Sequence, residues 1–270
     1  MKRSKRAMIP LLGALAAEGV IIFLLTCAWT GATMSGENTS AMAPSAIPAR
    51  QDRSVSAPGT ALAKATAVPG HDKKNIKKIF KTCKKTLVLV NKEHKLKTSY
   101  HSSLVPIWQG RLQASEYLFD SLVQMLADAR EEGYQYFIAS AYRSRDKQQR
   151  LVEDGVRKRM RHGASYDEAI EKTYEEIMPA GYSEHETGLA LDILCSGNMH
   201  MDISQKEEPG NRWLRKNCHK YGFILRYPKS KEHITNITYE PWHFRYVGER
   251  AATYMREHDM TLEEFWDSME

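Results

Sequence analysis

The folded part of this 270-residue chain predicts an α+β fold, on two observations. Segments of helical and of strand periodicity follow one another in mixed order. Few long βα units alternate in the way a parallel sheet requires. The length admits one large domain or two small ones.

Residues 1–32 hold four basic residues and then an apolar run of roughly twenty positions, the layout of a signal peptide or signal anchor. Glu18 and Pro10 interrupt that run, whereas 20–28 is strongly apolar. "LLTC" ending at Cys27 only faintly matches a lipoprotein signal, because Thr26 stands where a smaller residue is usual. Residues 33–70 turn to Ala, Ser, Thr, Pro and Gly, which cannot bury a core, and predict a flexible tether. The tether is expected to run to residue 85 through "KKNIKKIFKTCKK", with seven lysines. That stretch reads either as attraction to anionic lipid head groups or wall polymers, or as the solvated face of a helix.

The main domain is expected over 86–270, opening on the β-branched run "TLVLV". Residues 111–133 predict a helix with Leu112, Leu118, Leu122, Met125, Leu126 and Ala129 on one face and Gly133 at its end. "YQYFIAS" (134–140) is a strand, and 144–161 and 165–178 are charged helices closed by Pro179 and Gly181. "GLALDIL" (188–194) is a buried strand. A helix over 210–222, a strand at "FILRY" and a last strand at "EPWHFRYVG" follow. "ERAATYMREH" and "TLEEFW" finish the chain as short helices.

Charge divides the chain. Residues 1–97 carry 17 Lys+Arg against 5 Asp+Glu, and the remainder 22 against 28. The basic excess is therefore N-terminal, which argues against a nucleic-acid-binding main domain. Of the four cysteines, Cys27 belongs to the leader. Cys195 and Cys218 can pair in an oxidising compartment, leaving Cys83 alone, or all three can be free thiols.

The chemistry begins at "SEHETGLALDILC" (183–195). Asp192 lies between Leu191 and Ile193 in an apolar strand, and a buried charge there needs a cation or a hydrogen-bonding shell. His185 stands seven positions before it, and His243 lies in the last strand. Two imidazoles and one carboxylate with an open fourth position is the composition of a catalytic zinc site. Glu240, three residues before His243, is the candidate general base, provided a bend near Pro241 turns both into one cleft. Arg143, after the strand in "SAYRS", can bind a carboxylate or a developing oxyanion. His94, His101, His162, His200, His219, His233 and His258 carry no mechanistic claim, and Trp242 reads as packing.

Together "SAYRSRDKQQ", "SEHETGLALDI", "GFILRYP" and "YEPWHFRYVG" resemble the VanY-type D-alanyl-D-alanine carboxypeptidases. That zinc peptidase group also holds D-Ala-D-Ala dipeptidases, phage endolysin peptidases and the hedgehog domain. The resemblance runs over about 86–257, with the blocks in the family's order. It implies a central antiparallel sheet flanked by helices, Zn2+ on His185, Asp192 and His243, and Glu240 as base. It further implies that Arg143, Gln148 and Ser183 hold the peptide's terminal carboxylate and that Tyr227 lines the cleft. The implied substrate is a peptidoglycan stem peptide ending in D-Ala, met outside the cytoplasm by an enzyme secreted or tethered to the membrane through its N-terminal segment. Rival readings are an L,D-carboxypeptidase on tetrapeptides, a D,D-dipeptidase, an endolysin, and a non-catalytic wall-binding module.

Overall fold

The computed structural model describes residues 72–269. It opens with α1 (Lys73–Cys83), capped by the Asp72 side chain, which accepts from the Lys74 amide. Ile76 and Ile79 are buried against residues that follow the last strand, while all seven lysines of 73–85 are exposed. The lysine-rich stretch is thus a docked amphipathic helix. Residues 73–83, expected as part of the tether, thus pack on the same core as α7 and α8 through Ile76 and Ile79.

The run 86–90 forms no strand. Its carbonyls are taken by side chains: Thr86 O and Val88 O by the Arg245 guanidinium at 3.0 and 2.8 Å, and Leu87 O by Trp266 Nε1 at 2.7 Å. A hairpin follows, β1 (Leu104–Ile107) and β2 (Leu112–Ser115), turned at Trp108, Gln109 and Gly110, all at positive φ. The helix expected from residue 111 starts only at α2 (Glu116–Glu131). The Ser115 side chain caps it, and Leu118, Leu122, Met125 and Ala129 are its buried face. Leu112 belongs to the hairpin instead. Pro106 inside β1 masked the strand pattern.

The elements that remain are β3 (Tyr136–Ser140), α3 (Arg145–Arg161), α4 (Tyr166–Glu176), β4 (Ala190–Cys195), α5 (Pro209–Asn217), β5 (Phe223–Leu225), α6 (Glu232–Thr235), β6 (His243–Tyr246), α7 (Glu249–Glu257) and α8 (Leu262–Asp267). Four strands make one antiparallel sheet in the order β3-β4-β6-β5. This is the α+β architecture with a central antiparallel sheet and flanking helices.

Strand alternation gives the sheet two unlike faces. Tyr136, Ile138, Leu191, Ile193, Cys195, Phe223 and Phe244 point into a core shared with α2 and α5. The other face holds Asp192 directly opposite His243, and Ala190 opposite Arg245. Near the end of β3 the register shifts between Ile138 and Ser140, so Ser140 rather than Ala139 stands against Asp192. A smaller core joins α1 to α7 and α8. Cys195 and Cys218 are buried free thiols, pushed up by burial to about 11 and about 12. The possible pairing of these two is not made.

Candidate active site

Asp192 is buried because both its oxygens are engaged. Oδ2 lies 3.2 Å from His185 Nε2 and Oδ1 3.1 Å from His243 Nδ1. Burial works to raise its carboxyl, but the two imidazoles overcome this and hold it far below the ordinary range. One candidate donor atom from each of the three residues fits within a 4.8 Å span. Donors about 2.1 Å from a tetrahedral ion stand roughly 3.4 Å from one another, so these side chains fit a small divalent metal.

The three candidate ligands are delivered by two devices. Asp192 and His243 are cross-strand neighbours on β4 and β6. His185 comes from a 3-10 turn (Glu184–Thr187) that ends at Gly188, in the left-handed region at φ +73°. A Cβ there would stand 3.0 Å from Leu104 Cδ2 and 3.1 Å from the Ser115 amide nitrogen, so the turn needs glycine. His185 Nδ1 lies 2.8 Å from the Ala141 carbonyl. A carbonyl only accepts, so Nδ1 carries the proton and Nε2 presents its lone pair to the cluster.

Glu240 precedes β6 instead of lying in it. A turn returns the chain, the His243 amide donating to Glu240 O at 3.2 Å, and the Glu240 amide donates to Tyr227 O at 3.2 Å. The bend expected near Pro241 is therefore present, and it brings Glu240 Oε2 to 3.7 Å from His243 Nδ1. Burial, reinforced by the charges of Asp192 and Glu184 and opposed by His243, raises the Glu240 carboxyl to about 7. A cation held by the cluster pulls the same carboxyl downward. His243 is raised to about 10: burial opposes its charged form, but hydrogen bonds to Asp192 and Glu184 outweigh it. A metal at Nδ1 takes the place of that proton.

Arg143 follows β3, its amide donating to His185 O at 3.1 Å. Its guanidinium donates to Ser140 Oγ at 3.0 Å and to Gln148 Oε1 at 2.7 Å. Burial lowers its pKa, while Asp192 and Glu186 raise it. Gln148, on α3, is fully buried and also donates to Met178 O at 2.5 Å. It stands behind Arg143 and aims it. Ser183 is buried at the start of the 3-10 turn, its hydroxyl making no cap bond to that turn. Tyr227 is buried, its ring centroid 4.9 Å from that of His243.

Four residues on this face escaped the sequence reading: Ser140, Glu184, Arg226 and Arg245. Glu184 Oε1 accepts from Arg226 Nε at 2.8 Å and from Arg245 Nη1 at 2.7 Å. Arg226 also makes a two-point pair with Glu263, at 2.8 and 2.6 Å. The signal that exposed Asp192, a charge enclosed by apolar neighbours, is equally present in "FILRY" and "HFRYV". Only the histidine spacing drew attention to one of the three.

A carboxylate bridging two imidazoles at ligand spacing, with a proton acceptor of near-neutral pKa beside it, is the equipment of a metal-dependent hydrolase. Comparison with known proteins narrows this class. The VanY D-alanyl-D-alanine carboxypeptidase family model matches residues 111–249, and the chain belongs to that family. YodJ of Bacillus subtilis (strain 168), a protein with a carboxypeptidase name, is 35% identical over 68% of this chain and 67% of its own length. A D-alanyl-D-alanine carboxypeptidase of Enterococcus faecalis (strain ATCC 700802 / V583) is 34% identical over 67% of this chain and 65% of its own.

Three solved structures share the fold. A variant of the vancomycin resistance D,D-pentapeptidase VanY in complex with Zn(II) matches at TM-score 0.60 and 33% identity, over 67% of this chain and 99% of that one. VanYB in complex with D-alanine-D-alanine matches at 0.61 and 32%, over 68% and 99%. The LD-carboxypeptidase LdcB matches at 0.60 and 35%, over 67% and 86%.

Proposed function

We propose that the protein is a zinc carboxypeptidase that acts outside the cytoplasm and removes the last D-alanine from peptidoglycan stem peptides. The observation that carries this is the placement of Glu240, a largely buried carboxylate turned into the cleft 3.7 Å from His243 Nδ1, beside the His185, Asp192 and His243 cluster. A wall-binding module has no use for a proton acceptor there. His185, Asp192 and His243 would hold the zinc. Bound zinc supplies Lewis acidity that brings the pKa of water from 15.7 to about 7. Glu240 takes the proton of the attacking water and passes it to the leaving amine.

Arg143, aimed by Gln148 and Ser140, pairs with the free carboxylate of the peptide, and the Ser183 hydroxyl donates to the same group. Their need for a charged partner restricts cleavage to the chain end. Tyr227 closes the cleft beside His243. The basic and then apolar start of the sequence supports export, with the N-terminal segment as membrane anchor or signal peptide. Among the described residues no helix is long and apolar enough to cross a membrane, and 1–71 lie outside them. The outward lysines of α1 suit an anionic surface close by.

The test is mass spectrometry of a synthetic pentapeptide ending in D-Ala-D-Ala, incubated with the zinc-loaded protein. Loss of one alanine, abolished by chelation, establishes the activity. An intact pentapeptide beside a trimmed tetrapeptide transfers the assignment to L,D-carboxypeptidase, the second reading, which the likeness to LdcB favours. No cleavage of either while zinc is bound leaves the binding module.

A further inference from the structure

We propose that Glu184 is a positioning residue that sets which nitrogen of His243 faces the metal. The inference rests on the reading of His243 as a ligand. Glu184 Oε2 lies 3.4 Å from His243 Nε2, and its side chain is 1% exposed. The other oxygen, Oε1, is occupied by Arg226 and Arg245 at 2.8 and 2.7 Å. Those guanidiniums are themselves hydrogen-bonded elsewhere, Arg226 to Glu263 and Arg245 to the carbonyls of Thr86 and Val88. A carboxylate only accepts, so the imidazole meets it with Nε2–H. Nδ1 faces a carboxylate too, Asp192 at 3.1 Å, so without metal both nitrogens hold protons; a metal in the cluster would displace the one at Nδ1, and Glu184 keeps the other at Nε2.

The two histidines consequently present different nitrogens, and each is set by a different group. His185 has a backbone carbonyl behind it, whereas His243 has a charged side chain. That side chain belongs to the residue just before His185, so Glu184 also ties the two ligand-bearing segments together. A carboxylate buried this deeply is costly unless paired, and the two arginines supply the pairing. Charge balance alone does not require the contact with His243. Oε1 satisfies both arginines, and Oε2 is left for the ring.

Glu184→Gln tests the assignment because it keeps size and shape. The amide either offers its NH2 to Nε2, forcing the ring proton onto the ligand nitrogen, or turns that NH2 toward two arginines. Both choices oppose metal binding. Glu263→Gln is the control, since it weakens the same buried network without touching His243. The full-length protein is titrated with zinc against a chromophoric chelator, and cobalt(II) spectra are recorded for each variant.

The expected result is a 10–100-fold weaker zinc affinity and altered cobalt bands for Glu184→Gln, with Glu263→Gln close to wild type. Wild-type affinity in a folded Glu184→Gln, or equal losses in both variants, overturns the proposal. Imidazole nitrogen NMR of the zinc-loaded wild type decides the matter even if the variants do not fold. Metal on Nδ1 with the proton on Nε2 of His243 supports the assignment. Metal on Nε2 sinks it while leaving the ligand reading intact, and a His243 untouched by zinc sinks the ligand reading itself.

Discussion

The two faces of one four-stranded sheet obey opposite rules. On one, Leu191, Ile193, Phe223 and Phe244 meet α2 and α5 in an apolar core. On the other, one residue along the same strands, Asp192, His243 and Arg245 are just as deeply buried yet carry formal or potential charge. The first face is stabilised by area removed from water and tolerates exchange among apolar side chains of similar volume. The second is stable only as a closed set, in which each donor has an acceptor and each carboxylate a cation. Stability therefore belongs mainly to one face and chemistry to the other, and single substitutions should separate them.

The largest effect is expected from Glu240→Gln. Steady-state kinetics on the pentapeptide should show kcat lower by about 10²–10⁴-fold, with zinc stoichiometry by metal analysis unchanged. A loss below tenfold would remove the distinction between the faces. Next, Phe244→Ala on the apolar face should cost about 3–5 kcal/mol in urea unfolding, while its neighbour His243→Ala should remove the metal. If Phe244→Ala and His243→Ala proved equivalent in both assays, the two-face description would be wrong.

Arg143→Ala should lower kcat/KM by about 10–150-fold, the worth of hydrogen bonds to a charged group. The discrimination against a C-terminally amidated peptide should vanish with it. Gln148→Ala should produce a weaker form of the same change, since it acts through Arg143.

A pH series on chelated protein sharpens the comparison. Glu240 has a folded pKa of about 7 against an ordinary 4.5, so between these values the folded state binds more protons than the unfolded. Its contribution to stability accordingly falls as pH rises from about 4.5 to 7, by at most about 3 kcal/mol. His243, raised from 6.5 to about 10, loses its contribution over that higher window. Thermal melts of wild type and Glu240→Gln should diverge through the lower window, the glutamine variant being the more stable at pH 8. Zinc should shrink the difference. The smallest expected effect is on the apolar side: reductant should leave the melting temperature unchanged, because Cys195 and Cys218 are thiols already. A drop of several degrees would reveal a disulfide.

By itself the sequence determined what depends on residue type and short-range pattern. An apolar strand interrupted by Asp192, His185 before it, and Glu240 and His243 in the last block pointed to a candidate metal site and base, which the family resemblance completed. The helices 144–161 and 165–178 and the strands around 190 and 224 were also legible, because their periods are carried by contiguous residues. Misread segments were those whose state is set by distant partners. "TLVLV" has strand composition, yet Arg245 and Trp266 claim its carbonyls. The lysine helix looked like a tether, yet two isoleucines find a core built by α7 and α8, about 175 residues further along.

Only the tertiary structure decided how the chemical groups face one another. The turn at 240–243, the β3 register shift that presents Ser140, and the choice of ring nitrogen on each histidine all follow from contacts between segments far apart in the chain. Residue identity states what a side chain can donate or accept. Which partner it meets is a property of strand pairing, and no local pattern encodes it.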